Sequence, residues 1–190
     1  FQILVLFPFF AIKGYSHYAG SALSRMFGGR KDMLYSYLSQ DNLNWRKVIY
    51  RITNRLVKRV VIRDDHKKSR LAKVLIADDT DLPKTGMHME SIGKIFSHVH
   101  QKCTLGYKTL MLCWSDGRTQ FMLDFSLHGE MGKIEGKEQG LTSAQRKARY
   151  ERQRDKDSHI SKRKNEYFMG KGGKLLKMVK DAIQNKVPFD

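Results

Sequence analysis

The chain has little cysteine, no long apolar run and a shortage of acid. Cys103 and Cys113 are its only two cysteines, so no disulfide framework can form; this excludes the small disulfide-stapled classes and fits a reducing cytosol. The opening FQILVLFPFFAI is apolar but shorter than the roughly 20 residues that a bilayer-spanning helix requires. It lacks the basic lead and small-residue cleavage site of a signal peptide. No methionine starts the chain, which reads as a fragment whose true start lies upstream. No internal repeat and no low-complexity tract is present. Acid is outnumbered, 19 Asp+Glu against 36 Lys+Arg, leaving a formal charge of +17. Such an excess repels itself and implies an anionic partner, nucleic acid first and an acidic membrane surface second. A ribosome-type scaffold protein shares the charge but rarely carries so many aromatics and apolar strands. The 190 residues suffice for one medium domain or two small ones with a real core.

Three textures follow one another. Residues 1–70 read as helical. SHYAGSALSRMF sets Tyr18, Ala22 and Met26, with Leu23 and Phe27, at helical spacing, and Gly28 and Gly29 stop it. RKDMLYSYLSQ gives a second short helix with Met33, Leu34, Tyr37 and Leu38 on one side. A helix-turn-helix and a plain packed helical pair fit Tyr18–Leu38 equally. In the third helix Asn44 can cap, and Trp45, Val48, Ile49, Ile52 and Leu56 form an apolar stripe. The opposite face carries Arg46, Lys47, Arg51, Arg55, Lys58 and Arg59.

Residues 71–127 read as sheet. Val74–Asp79 is a short buried strand, LGYKTLMLCW a second, and TQFMLDFSL a third with Phe121, Leu123, Phe125 and Leu127 alternating. Asp116-Gly117 between the last two is a hairpin signal, because both central turn residues take positive φ. The rest opens on a Gly-rich polar loop. It continues through a basic stretch, about 129–165, with too few apolar side chains to pack well. An amphipathic helix, KLLKMVKDAIQNK, follows, and VPFD looks like the entry to another strand.

Against this basic background VLIADDTDLPKTG stands out, with Asp78, Asp79 and Asp81 at the end of a strand. Asp favours turns, and Pro83 and Gly86 support one. The same carboxylates suit a divalent cation, since Mg²⁺ takes one or two carboxylates together with water and phosphate oxygens. Two such ions serve phosphoryl transfer. His98, His100, Cys103 and Cys113 match no common zinc spacing and fit a polar strand face or a loop near phosphate. The basic helix face, with Lys84 beside the acids and Arg146, Lys147, Arg149, Arg152 and Arg154 further on, reads as contact surface for DNA or RNA.

LIADDTDLPKTG, IGKIFSHVHQKCTLGYKTLMLCWSDGRTQFMLDFSLHGE, GLTSAQRKARYERQRDKDS and SKRKNEYF together resemble a bacterial insertion-sequence transposase of the DDE class. FPFFAIKGYSHYA and DMLYSYLSQDNLNWRKVIYRI resemble the upstream part of the same proteins, so the resemblance covers nearly the whole chain. It implies an α+β fold: a helical region over 1–70, then over 71–190 the start of a ribonuclease H-like core. Such a core opens with three antiparallel strands and continues into helices. It implies metal-dependent cleavage and strand transfer at transposon ends, with Mg²⁺ or Mn²⁺ as cofactor. The implied partner is double-stranded DNA, with a homodimer in the full-length protein and no membrane. A cytoplasmic, nucleoid-associated bacterial protein is the implied setting. The match assigns the first catalytic Asp to Asp79, with Asp78 as the alternative; neighbours on a strand point to opposite faces, so both cannot serve equally. Asp81 reads as a turn residue. In the family the second Asp lies on the strand after the helix and a Glu lies well beyond. This chain stops at Asp190, so the fragment is expected to hold one of three metal ligands and to be inactive alone. The competing class is a non-catalytic DNA-binding relic or repressor of transposition. An RNA-binding accessory protein would prefer single strands, and no RNA-module motif stands in the sequence.

Overall fold

The computed structural model describes residues 18–19, 22–27, 31–66 and 71–190. The opening apolar stretch and Gly28 and Gly29 lie outside them. The chain divides into two compact units, Phe1–Leu43 and Asn44–Asp190. In the first, α1 (Leu23–Phe27) and α2 (Lys31–Leu38) form where the apolar spacing predicts helices. Asp32 lies in the first turn of α2, where the helix dipole favours acid.

The second unit is α+β: helices and a small open antiparallel sheet of four strands. Its strands are β1 (Val74–Pro83), β2 (Gly93–Ser97), β3 (Lys102–Ser115) and β4 (Gln120–Leu127). The long β3 organises them. Leu110 pairs with Asp79 of β1 on one edge and Ser126 of β4 on the other. Gly106 pairs with Pro83 of β1 and with Gly93 of β2. β2 and β4 therefore lie end to end along one edge of β3, and β1 runs along the other. The strand β2 is absent from the sequence reading. It is five residues long, and GKIFS offers only two large apolar side chains.

The β3–β4 hairpin forms where Asp116-Gly117 predicts it, by different means. Gly117 alone adopts positive φ, +81°. Asp116 works through its side chain, accepting from the backbone N–H of Arg118 at 2.9 Å and from that of Thr119.

One face of the sheet makes the core. Leu110, Leu112 and Trp114 are buried there with Leu123 of β4. They pack against Tyr50 and Val57 of α3 (Trp45–His66) and Met178 and Ala182 of α6 (Lys171–Gln184). The Trp114 indole N–H is satisfied by the carbonyl of Pro188 at 2.7 Å. A bulge at Leu112/Cys113 breaks the alternation expected for Phe121, Leu123, Phe125 and Leu127. Phe121 lies opposite Trp114, but Asp124 and Ser126, not Phe125 and Leu127, face inward after the bulge. β1 also differs from the short buried strand expected. It runs on through the acids to Pro83, and Val74 and Ile76 lie exposed on the open face.

Asn44 caps α3 as predicted, its side chain accepting from the N–H of Lys47 at 2.9 Å. The buried stripe is not the predicted one. Tyr50, Thr53 and Val57 face the sheet, and Ile52 and Leu56 are 40 % and 37 % exposed. The helix is rotated by about one residue because Arg46 and Thr53 have partners on the sheet and Tyr50 has one on α6. The Tyr50 hydroxyl donates to Met178 O at 3.1 Å and that of Thr53 to Met122 O at 3.0 Å.

The basic stretch packs better than its composition suggests, through polar bonds rather than apolar area. Short helices α4 (Ser143–Lys147) and α5 (His159–Lys164) lead into a 3₁₀ turn, Asn165–Phe168. Thr142 and Gln145 form a capping box on α4, and Ser158 caps α5. Gly140, at φ +88°, lies against the backbone of Gly132 where no Cβ fits.

The rotation of α3 gives a test. Val57→Ala should lower the free energy of unfolding in a urea titration by about 2 kcal/mol. Leu56→Ala, although it removes more carbon, should cost less than about 1 kcal/mol. The reverse order would return the buried face to the stripe seen in the sequence.

Candidate functional site

The inward rows of the sheet fix the site. Asp79 of β1, Leu110 of β3 and Ser126 of β4 share one row, and Asp81 and Lys108 belong to the next. His128 leaves β4 beside them, its N–H donating to Lys108 O at 2.8 Å. The α6 N-terminus meets this end of the sheet. Lys171 forms an ion pair with Asp79 Oδ2. Lys174 is buried and gives its three protons to Leu127 O, Tyr167 O and His128 Nδ1 at 2.9–3.0 Å.

Those contacts decide the form of His128. An ammonium only donates, so Nδ1 accepts and the proton of the neutral ring lies on Nε2. Nε2 faces Asp79 Oδ1 at 3.6 Å, too far for a hydrogen bond. Both atoms are buried without a hydrogen-bond partner. Burial, and then the Lys174 charge, hold the imidazole below its usual pKa, against the pull of Asp79. Burial pushes Lys174 down as well. At Asp79 burial acts upward. The hydrogen bond and charge of Lys171, helped by His128 and Lys108, outweigh it and hold the carboxyl below its ordinary range.

Asp78 and Asp79 do point to opposite faces. Asp79 belongs to the inward row with His128 and Lys171. Asp78 is exposed on the other face, where its Oδ1 accepts from the N–H of Asp79 at 2.8 Å. Asp81 is a ladder residue, not a turn residue, opposite Lys108 with Nζ 3.5 Å from Oδ1. Asp190 lies elsewhere, beside the entry to β1. Its N–H donates to Lys73 O at 2.8 Å and its Oδ2 accepts from Lys73 N at 2.7 Å. Six residue steps along the extended chain, about 20 Å, separate Lys73 from Asp79. Among the described residues no three His, Cys, Asp or Glu side chains converge as a metal site. The unsatisfied Asp79 Oδ1 fits a single-carboxylate share of one.

The cations predicted to contact nucleic acid divide into two kinds. Lys47, Arg51, Arg55, Lys58 and Arg59 form an exposed ridge along α3, with no ion pair among the described residues. Arg46 is internal. Its Nε donates to Asp124 Oδ1 at 3.0 Å, and its two terminal nitrogens grip Glu166 at 2.8 Å each. In the later group Lys147 and Arg152 are exposed. Arg149 donates to Ile92 O at 3.1 Å, Arg146 lies against Gly132, and Arg154 pairs with Glu90, which Lys164 also holds. Lys84 is exposed just beyond β1.

Asp124, Glu166, His128 and Lys174 escaped the sequence reading. Asp124 sits in an apolar strand at a position the unbroken alternation would turn outward. A lone acid inside FMLDFSL is the signal that could have found it. The other three carry none, since their roles depend on chain segments far apart.

Comparison with protein-family models, with curated proteins and with solved structures finds no match.

Two outcomes are expected for the Arg46 network. Arg46→Ala leaves Asp124 and Glu166 buried without their partner and should cost about 3–5 kcal/mol in denaturant unfolding. At Glu166 burial acts upward, but Arg46, Lys177 and Arg163 together hold the carboxyl below its ordinary 4.5. The stability it contributes is complete above pH 4.5 and is lost as pH falls from there through the depressed folded value. Glu166→Gln should therefore lower Tm at neutral pH and flatten its fall on the acid side. An unchanged acid limb in melts across pH 3–7 would remove Glu166 from that role.

Proposed function

We propose that the chain belongs to a DNA transposase of the DDE class, in which Asp79 supplies one carboxylate to a catalytic Mg²⁺ or Mn²⁺. The observation that carries this reading is the partly buried Asp79 Oδ1, which has no hydrogen-bond partner, set among cations at one end of an open sheet. The order of strands supports it: three long antiparallel strands pair as β1–β3–β4, and helices follow. Bound at Asp79, the metal would help activate a water or hydroxyl nucleophile and stabilise the leaving oxygen of the phosphodiester.

The protein's own residues do the rest. The α3 ridge, Lys47 to Arg59, holds duplex DNA through its phosphates; Arg46 is left out because it is spent inside the fold. Lys108, paired with Asp81 at the inward row, offsets negative charge beside Asp79. Lys174 holds His128 with its Nε2 proton toward the carboxylate, where it can donate to a phosphate oxygen. Lys171 pairs with Asp79 and would have to give way for the carboxylate to hold a metal ion.

That last contact also favours the second reading, a DNA-binding relic or repressor, in which Lys171 is the permanent partner of Asp79. The readings differ in the complete protein. Asp79→Asn should abolish cleavage of transposon ends and spare binding, and Asp78→Asn should retain both. Normal cleavage by Asp79→Asn would reject the assignment. Wild-type protein that binds ends and never cuts them would leave the repressor.

Duplex binding should weaken steeply with salt, because each neutralised phosphate releases counterions. Arg51→Glu with Arg55→Glu should weaken it by more than about tenfold at low salt and reduce the slope of log K against log salt. Affinity unchanged by salt in an anisotropy titration would count against electrostatic DNA contact altogether.

A further inference from the structure

The face of the sheet opposite to Asp79 gathers sulfur. Met111 and Cys113 stand two apart on β3 and share that face. Cys113 pairs with Met122 of β4 on one side and with Ile76 of β1 on the other. The bulge decides this meeting. Its extra residue, Leu123, turns inward with Asp124, and Met122 stays on the open face, 38 % exposed. Cys113 is a free thiol, half-buried like Met111. Phe125 stands opposite Met111, and with Ile76 it gives the sulfurs an apolar rim. Asp78 of β1 also stands opposite Met111, and no cation pairs with it among the described residues. Burial, and then the charge of Asp78, pushes the Cys113 thiol up, so the carboxylate acts on this sulfur.

Strand geometry sets the spacing. Side chains opposite each other on paired strands hold their Cβ atoms about 5 Å apart, and those two apart on one strand about 7 Å. Three sulfurs around one ion stand about 4 Å from each other when each bond is about 2.3 Å. Methionine has three rotatable bonds, enough to close the difference. Thiolate and thioether are soft donors and select a soft ion. Zn²⁺ takes thiolate, imidazole and carboxylate, so one thiolate with two thioethers is a poor set for it. We propose that Cys113, Met111 and Met122 form a binding site for a soft monovalent cation, Cu⁺, with Asp78 beside it as an uncancelled negative charge. Binding forms a copper–thiolate bond and releases the thiol proton to water, so the occupied site adds no charge to a chain of +17. The site lies on the other face from Asp79 and does not depend on the DNA reading.

The 190-residue chain with Cys103→Ser keeps Cys113 as its one thiol. It is titrated with Cu⁺ under argon in competition with bicinchoninate, a coloured Cu⁺ chelator. One equivalent should leave the chelator, and a thiolate-to-copper absorption should rise with it. Met111→Leu and Met122→Leu conserve volume, so the fold is kept, and each should weaken Cu⁺ binding by about tenfold or more. Cys113→Ser should abolish it, and equimolar Zn²⁺ should not displace the ion. Affinity unchanged in either leucine variant would mean a simple thiol adduct and overturns the three-sulfur site. Binding that survives Cys113→Ser, displacement by Zn²⁺, or no uptake of Cu⁺ overturns it as well.

Discussion

The grip of Arg46 on Asp124 and Glu166 is the constraint on which the second unit depends. It joins α3 to β4 and to the 3₁₀ turn before α6, and Asp181 of α6 lies 3.6 Å from the same guanidinium. Asp124 is wholly buried, and removing a carboxylate from water costs several kcal/mol without partners. Burial pushes that carboxyl up, and the charges of Arg46 and Arg163 oppose the shift. Neither ion is stable there alone, so the pair admits only arrangements in which α3 and β4 meet at this register. A buried ion pair adds little net stability compared with apolar packing. Its effect here is geometric, since it sets the rotation of α3 and leaves Lys47, Arg51, Arg55, Lys58 and Arg59 as the outer ridge.

The bulge in β4 is the other half of that arrangement. Without it the strict period of two would turn Asp124 and Ser126 away from the helices. One extra residue, Leu123, keeps its own side chain in the core and shifts the phase of all that follows. His128 gains its place by the same shift, two residues beyond Ser126. A backbone irregularity thus connects the structural ion pair in the middle of the sheet with the candidate site at its end.

Electrostatic economy of a similar kind runs through the unit. In a chain of +17 several half-buried acids are matched by cations: Asp79 with Lys171, Asp81 with Lys108, Glu90 with Arg154 and Lys164. The excess charge is left on surfaces, most clearly on α3. Lys174 and His128 are held toward their neutral forms by burial, and Asp79 is held ionised by its neighbours. A carboxyl group binds a hard cation in its ionised form, so this state of Asp79 is the chemically useful one.

The sequence by itself determined the local elements. The hairpin at Asp116-Gly117, the Asn44 cap, the strand from Val74 and the amphipathic helix from Lys171 all follow from residue type and spacing within a few positions. It also separated Asp78 from Asp79 by face, because strand geometry alone requires that. The ridge of α3 was legible as charge, but Arg46 could not be told from its neighbours: an arginine with a buried acid partner and one facing water have the same helical spacing. Only tertiary structure decided the rest. The rotation of α3 and the meeting of Lys174, His128 and Asp79 join residues dozens of positions apart, and the end-to-end placement of β2 and β4 and the bulge that turns Asp124 inward depend on how each strand pairs with β3. Periodicity reports the faces of one segment; which face is buried depends on ions and bonds supplied by another.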